Sequence, residues 1–129
     1  MNGSFLLDTN IVIAFLAEEV VVVNHVTAAD EVFIPVVALG ELYYGAHESS
    51  RVRANLARIA ELSGTSDVLG CDVATARRYG RIKSQVHRRG RPIPEADLWI
   101  AAIAAQHGLT LASRDRHFAQ VEGLPLAVW

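Results

Sequence analysis

Five short apolar stretches, "SFLL", "EVFI", "SDVL", "LTLA" and "PLAV", punctuate the chain, and their length suits buried β-strands. Between them apolar residues recur at helical spacing, which predicts helices near residues 11–18, 20–29, 36–47, 50–63, 72–89 and 94–107, with a short helix after Asp115. In the clearest of these Pro94 favours a first turn, Leu98, Ile100, Ile103 and Ala104 form an apolar face, and Gly108 closes the end. Strands alternating with helices, without repeats, low-complexity tracts or a linker, predict one α/β domain over residues 1–129. Its core is expected to be a central parallel sheet of about five short strands flanked by helices. The longest apolar run, "LWIAAIAA", is far shorter than the roughly 20 residues of a membrane helix, so no membrane span is expected.

The pattern breaks most sharply in "FLLDTNIVI", where Asp8, Thr9 and Asn10 interrupt an otherwise apolar run. A strand ends there and a helix begins, with Thr9 or Asn10 as N-cap. Asp8 then stands at a strand's carboxyl end, the edge where open parallel sheets bind ligands. The same logic places Asp115 after the strand in "LTLASRD", behind Ser113 and Arg114. Glu41 is the only charged residue between Ile34 and Ala46. On a helix its neighbours are Val37, Ala38, Tyr44 and Gly45, so its carboxylate needs a partner. Asp97, in "IPEADLWIAA", falls in a first helical turn, where the helix dipole favours negative charge. Glu95 is its rival, but two residues apart on a helix the side chains diverge, so one of them should face a site.

Each acid alone has a structural explanation: Asp8 and Asp115 as turn or cap residues, Asp97 and Glu95 as dipole-favoured acids, Glu41 as a partner for an arginine. Converging carboxylates repel one another, and the usual resolutions are raised pKa values or a bound divalent cation. A thiol-free set of Asp and Glu suits Mg²⁺ or Mn²⁺ rather than zinc. The five histidines show no paired-ligand spacing, so structural or surface roles are expected for them, with His117 the one nearest a candidate acid.

Composition changes this picture in three ways. A mean hydropathy of +0.24 is apolar for a small domain and suggests surface that another chain covers. The formal net charge of -2 hides an acid-free interval between Asp72 and Glu95 that holds Arg77, Arg78, Arg81, Lys83, Arg88, Arg89 and Arg91. This run is either a solvated helix face or a phosphate-binding patch, with Arg88, Arg89 and Arg91 the candidates for contact with phosphate. Cys71 is the only cysteine, which excludes an internal disulfide and reads as a core or near-core residue. No basic residue precedes the first apolar run, so no secretory signal is seen and a cytoplasmic protein is expected.

Taken in order, "LLDTN", "ELYYGA", "ADLWIAA" and "SRDRHF" resemble the motifs of PIN domains, most closely the VapC-type ribonuclease toxins of toxin–antitoxin modules. The resemblance spans essentially the whole chain. It implies that Asp8, Glu41, Asp97 and Asp115 form the acidic quartet, with Thr9, Asn10 and Ser113 as the small polar residues beside them. It further implies Mg²⁺-dependent hydrolysis of RNA phosphodiester bonds, with Mn²⁺ as a possible substitute. Asp8, Asp97 and Asp115 would serve as metal ligands, and Glu41 would orient the attacking water. A homodimer and a VapB-type antitoxin whose tail occupies the active-site groove are implied as well. Two other enzyme classes fit less well: a phosphorelay receiver wants paired acids after the first strand, and a haloacid-dehalogenase-type phosphatase wants a second aspartate where Asn10 stands. A catalytically silent PIN-like module that binds RNA or a partner is the non-enzymatic alternative, and a cleavage assay separates it from the enzyme.

Overall fold

In the computed structural model, which describes residues 3–129, the first strand β1 (Ser4–Leu7) runs into helix α1 (Thr9–Leu16) across Asp8 alone. Helix α2 (Val20–Ala28) follows, bent 107° from α1 at a turn where Glu18 takes a left-handed φ of 58°. Strand β2 (Glu31–Pro35) leads to α3 (Val36–His47) and α4 (Val52–Thr65), and the three-residue strand β3 (Asp67–Leu69) leads to α5 (Val73–Arg88). Helix α6 (Glu95–His107), strand β4 (Thr110–Ala112), a 3-10 turn (Arg116–Gln120) and the short strand β5 (Leu126–Ala127) complete the chain. Every predicted strand and helix is present, with ends displaced by at most two residues.

The strand order is β3-β2-β1-β4-β5, and all pairs are parallel. The chain therefore lays its strands outward on one side of β1, then returns to the other side with β4. The point where the order reverses lies between β1 and β4, and at the carboxyl edge of such a sheet it opens a crevice between diverging helices.

Period-two alternation splits the apolar residues between two cores. Leu6 and Leu111 point to the side covered by α5 and α6, whereas Leu7 and Ala112 point to the side covered by α1, α3 and α4. Helix α6 is enclosed more completely than any one-faced helix, with Leu98 and Ile100 through Ala104 all buried. That explains why "LWIAAIAA" lacks a polar stripe: it is a core helix of ordinary length. Among the described residues no single helix is long and apolar enough to cross a membrane. Gly108 closes α6 with φ 65°, the left-handed conformation that glycine adopts without strain.

Two local expectations are corrected. The N-cap of α1 is Asp8 itself, not Thr9 or Asn10, because its extended backbone lets its own carboxylate accept the Thr9 N–H. Cys71 is exposed rather than in or near the core, since it lies in the connection between β3 and α5.

Candidate active site

Parallel pairing aligns Leu7 of β1 with Ala112 of β4, and the register is extended by the Asp8 N–H donating to the Ala112 carbonyl at 2.9 Å. Asp8 and Ser113 consequently sit side by side where the strand order reverses. The Ser113 hydroxyl donates to Oδ2 of Asp8 at 2.7 Å and accepts the Asp115 N–H at 2.9 Å. On the other side, Oδ1 of Asp8 accepts the Thr9 N–H at 2.9 Å. The Thr9 hydroxyl donates to Oε1 of Glu41 at 2.5 Å, which supplies the partner that Glu41 lacked on its own helix. The Asn10 amide donates to Oδ2 of Asp115 at 3.3 Å. Thr9, Asn10 and Ser113 thus join Glu41, Asp8 and Asp115 in one hydrogen-bonded chain.

Asp97 arrives from the first turn of α6. Its Oδ2 lies 2.8 Å from Nε2 of His117, which the 3-10 turn carries in above the fully buried Phe118. One ligand atom from each of Asp97, Asp115 and His117 falls within a 4.8 Å span. His117 is the site residue that the sequence reading assigned to a structural or surface role. Its signal was present in "SRDRHF": a histidine two positions after an edge acid returns to that edge when the chain turns tightly.

Crowding is visible in the ionisation of these acids. Asp8 is 2% exposed, and burial pushes its pKa up, with the charges of Asp115 and Glu41 adding to the effect and the Ser113 and Thr9 hydrogen bonds opposing it. The Asp97 carboxyl is pushed up to about 6, first by burial and next by the charge of Asp8, while His117 pulls it down. Two polar atoms of the same site, Oδ1 of Asn10 and Nε2 of His117, are buried without an aligned hydrogen bond among the described residues. Buried lone pairs left unmatched are costly, and carboxylates that raise one another's pKa lack a counter-charge. A divalent cation would meet both deficits, and the residues present fit one.

A model of the PIN domain family matches residues 5–124, a span that carries all four acids. The chain belongs to the PIN-domain family. Within that family it is similar to the VapC ribonucleases: the tRNA(fMet)-specific endonuclease VapC of Shigella flexneri is 35% identical over 128 residues, 97% of each chain. Ribonuclease VapC2 of Haemophilus influenzae is 31% identical, again over 97% of each chain. Among solved structures, a DNA-bound VapBC from Salmonella typhimurium superposes with a TM-score of 0.90 at 28% identity, over 100% of this chain and 99% of that one.

The PIN domain surrounds its acids with two distinct surfaces. On the α5–α6 side, Glu95 turns away from the acids, pairing with Lys83 at 2.5 Å and accepting the Tyr79 hydroxyl. These contacts hold its pKa below the usual carboxylate range. Asp97 is therefore the member of the pair that faces the site. The arginine-rich run is partly engaged as well: Arg89 pairs with Glu122 at 3.0 Å and Arg88 donates to Ser84 at 3.1 Å. Arg91 lines a cavity of about 380 Å³ with Lys83, His87, Glu95 and Leu98. On the opposite side, an apolar cleft of about 340 Å³ begins at Thr9 and Glu41 and runs along Ile13, Leu16, Leu42 and Ile59. Ile13, which lines this cleft, stands 53% exposed.

Proposed function

We propose that this VapC-family PIN domain is a divalent-metal-dependent endoribonuclease and the toxin of a toxin–antitoxin pair. The observation that supports the reading is the acidic cluster at the strand-order reversal, where Asp8 feels the charges of Asp115 and Glu41, Asp97 feels that of Asp8, and both Asp8 and Asp97 have raised pKa values. Asp8, Asp97 and Asp115 are the residues that would hold Mg²⁺ or Mn²⁺. When bound, such a cation supplies a Lewis acid that activates water and offsets charge on the attacked phosphodiester.

The chain's own residues set the geometry around that chemistry. Ser113 and Thr9 each occupy one lone pair of Asp8 and leave the remaining ones without a protein donor among the described residues. Glu41, exposed and anchored at one oxygen by Thr9, keeps its second oxygen free to orient the attacking water. Asn10 fixes the exposed Asp115, whose loop would otherwise be free to swing. The four negative charges repel an RNA backbone until a cation is present, so metal and substrate binding are expected to be mutually dependent.

VapB-type antitoxins are the natural partner class. An apolar cleft that opens at Glu41 offers such a chain a path ending on the acids, where an antitoxin side chain of positive charge would replace the cation. The Shigella relative is named for tRNA(fMet), which makes initiator tRNA the first substrate to test. The decisive assay incubates the purified chain with total RNA and with initiator tRNA, with Mg²⁺, with Mn²⁺ and with chelator. Cleavage that requires a cation and disappears in Asp8→Asn is expected. RNA binding without cleavage under every condition would instead establish the silent-module alternative.

A further inference from the structure

We propose that His117 is a nitrogen ligand to the cation of this site, through Nε2, and that the site consequently takes Mn²⁺ more tightly than Mg²⁺. The inference rests on the metal-dependent reading above and adds a donor that the four acids do not supply. Nε2 is fully buried and lies 2.8 Å from Oδ2 of Asp97, yet no aligned hydrogen bond joins them. A ring held only for an ion pair would turn its N–H along the oxygen lone pair, because a buried donor left out of line costs free energy. A ring whose lone pair is meant for a third atom has no such need. The ligand atoms of Asp97, Asp115 and His117 span 4.8 Å. Donors on opposite sides of one ion at roughly 2.0–2.2 Å stand about 4.0–4.4 Å apart, so closure needs a shift of less than about 1 Å.

The ring is also held in place. Phe118 is fully buried and its ring centroid lies 4.7 Å from that of His117, so the 3-10 turn anchors His117 on the core. Mg²⁺ prefers oxygen donors and loses its waters reluctantly, whereas imidazole suits the later first-row ions. One imidazole among carboxylates therefore biases the site toward Mn²⁺.

The test is spectroscopic and calorimetric, on the full chain. Pulsed electron paramagnetic resonance of the Mn²⁺-loaded protein is expected to show one directly coupled ¹⁴N. In His117→Gln that coupling should vanish while Mn²⁺ still binds through the acids, at an affinity lower by about tenfold or more, and Mg²⁺ affinity should change by less than about twofold. His117→Asp, which restores an all-oxygen set, should narrow the Mn²⁺-over-Mg²⁺ preference. Mn²⁺ bound at the acids without nitrogen coupling in the wild-type protein would overturn the inference and leave the ribonuclease reading intact. Absence of any divalent binding would overturn both. The wild-type spectrum needs no substitution, so a poorly folding variant does not remove the test.

Discussion

Replacing Asp97 by Asn separates a cation-holding carboxylate from a helix-capping one. The Asp97 side chain is 13% exposed, and its pKa is pushed from an ordinary 3.8 up to about 6, by burial and by Asp8 against the pull of His117. A raised carboxylate pKa means that folding favours the protonated form. The associated stability is complete below about pH 4 and is lost as pH rises through about 6, so at pH 7.5 the ionised group destabilises the metal-free fold. A rise of roughly two units corresponds to at most about 3 kcal/mol. Asn also forfeits part of the contact between Asp97 and His117, so a net gain of about 1–2 kcal/mol is expected, or a Tm rise of roughly 3–8 °C. Thermal melts of both proteins at pH 7.5 and pH 4, with chelator and with divalent cation, are the assay. The variant should be the more stable at pH 7.5 without metal, and the difference should shrink by pH 4. The cation should raise the wild-type Tm by mass action and move the variant much less, and RNA cleavage by the variant should be nearly abolished. A variant that loses about 1 kcal/mol at both pH values and keeps its metal shift would refute the reasoning and return Asp97 to a helix-terminus role.

Three further outcomes follow from the same geometry. Ser113→Ala leaves Oδ2 of the buried Asp8 without its donor, so a loss of about 1–3 kcal/mol is expected in urea unfolding at pH 7.5, and a change within a few tenths would show that the hydroxyl does not support Asp8. Arg88→Ala with Arg91→Ala should weaken RNA binding and flatten its dependence on log salt by up to about 1.4, whereas Arg89→Ala, already paired with Glu122, should do less; an unchanged slope in the double variant would make this a solvated face. Ile13→Asp, which puts a charge on the apolar cleft, should reduce capture by a VapB-type antitoxin at least about tenfold and spare RNA cleavage by the free chain, and equal capture would place the antitoxin elsewhere.

What the sequence revealed and what it hid divide along a physical line. Strand and helix positions depend on local periodicity and end signals, so "SFLL" or the Pro94–Gly108 segment could be read within a window of a few turns. Asp8 and Glu41 stood out because each interrupts an apolar run, Asp115 because it follows a strand, and Asp97 because it falls in a first helical turn. Their wiring could not be read, because the Ser113–Asp8 and Asn10–Asp115 hydrogen bonds each join residues 105 positions apart and exist only through the β1–β4 register. His117 was missed for the same reason: its place beside Asp97 depends on how a 3-10 turn meets the first turn of α6. The arginine run was legible only as a count of charges. It is continuous in sequence, yet in space Lys83 and Arg89 are matched by Glu95 and Glu122 from other elements.

Asp8 shows why a residue at this edge resists assignment to one role. It caps α1 through the Thr9 N–H, and it closes the β1–β4 register through its own N–H to Ala112. Its carboxylate is nevertheless buried beside Asp115 and Glu41, where ionisation is disfavoured. A capping aspartate needs only one oxygen and gains nothing from burial among other acids, so capping accounts for its backbone position and not for its surroundings. Substitution should therefore separate the two roles. Asp8→Asn retains a capping oxygen and removes the charge, so it should fold with the same α1 and lose cation binding, whereas Asp8→Ala should lose both cation binding and the first turn of the helix.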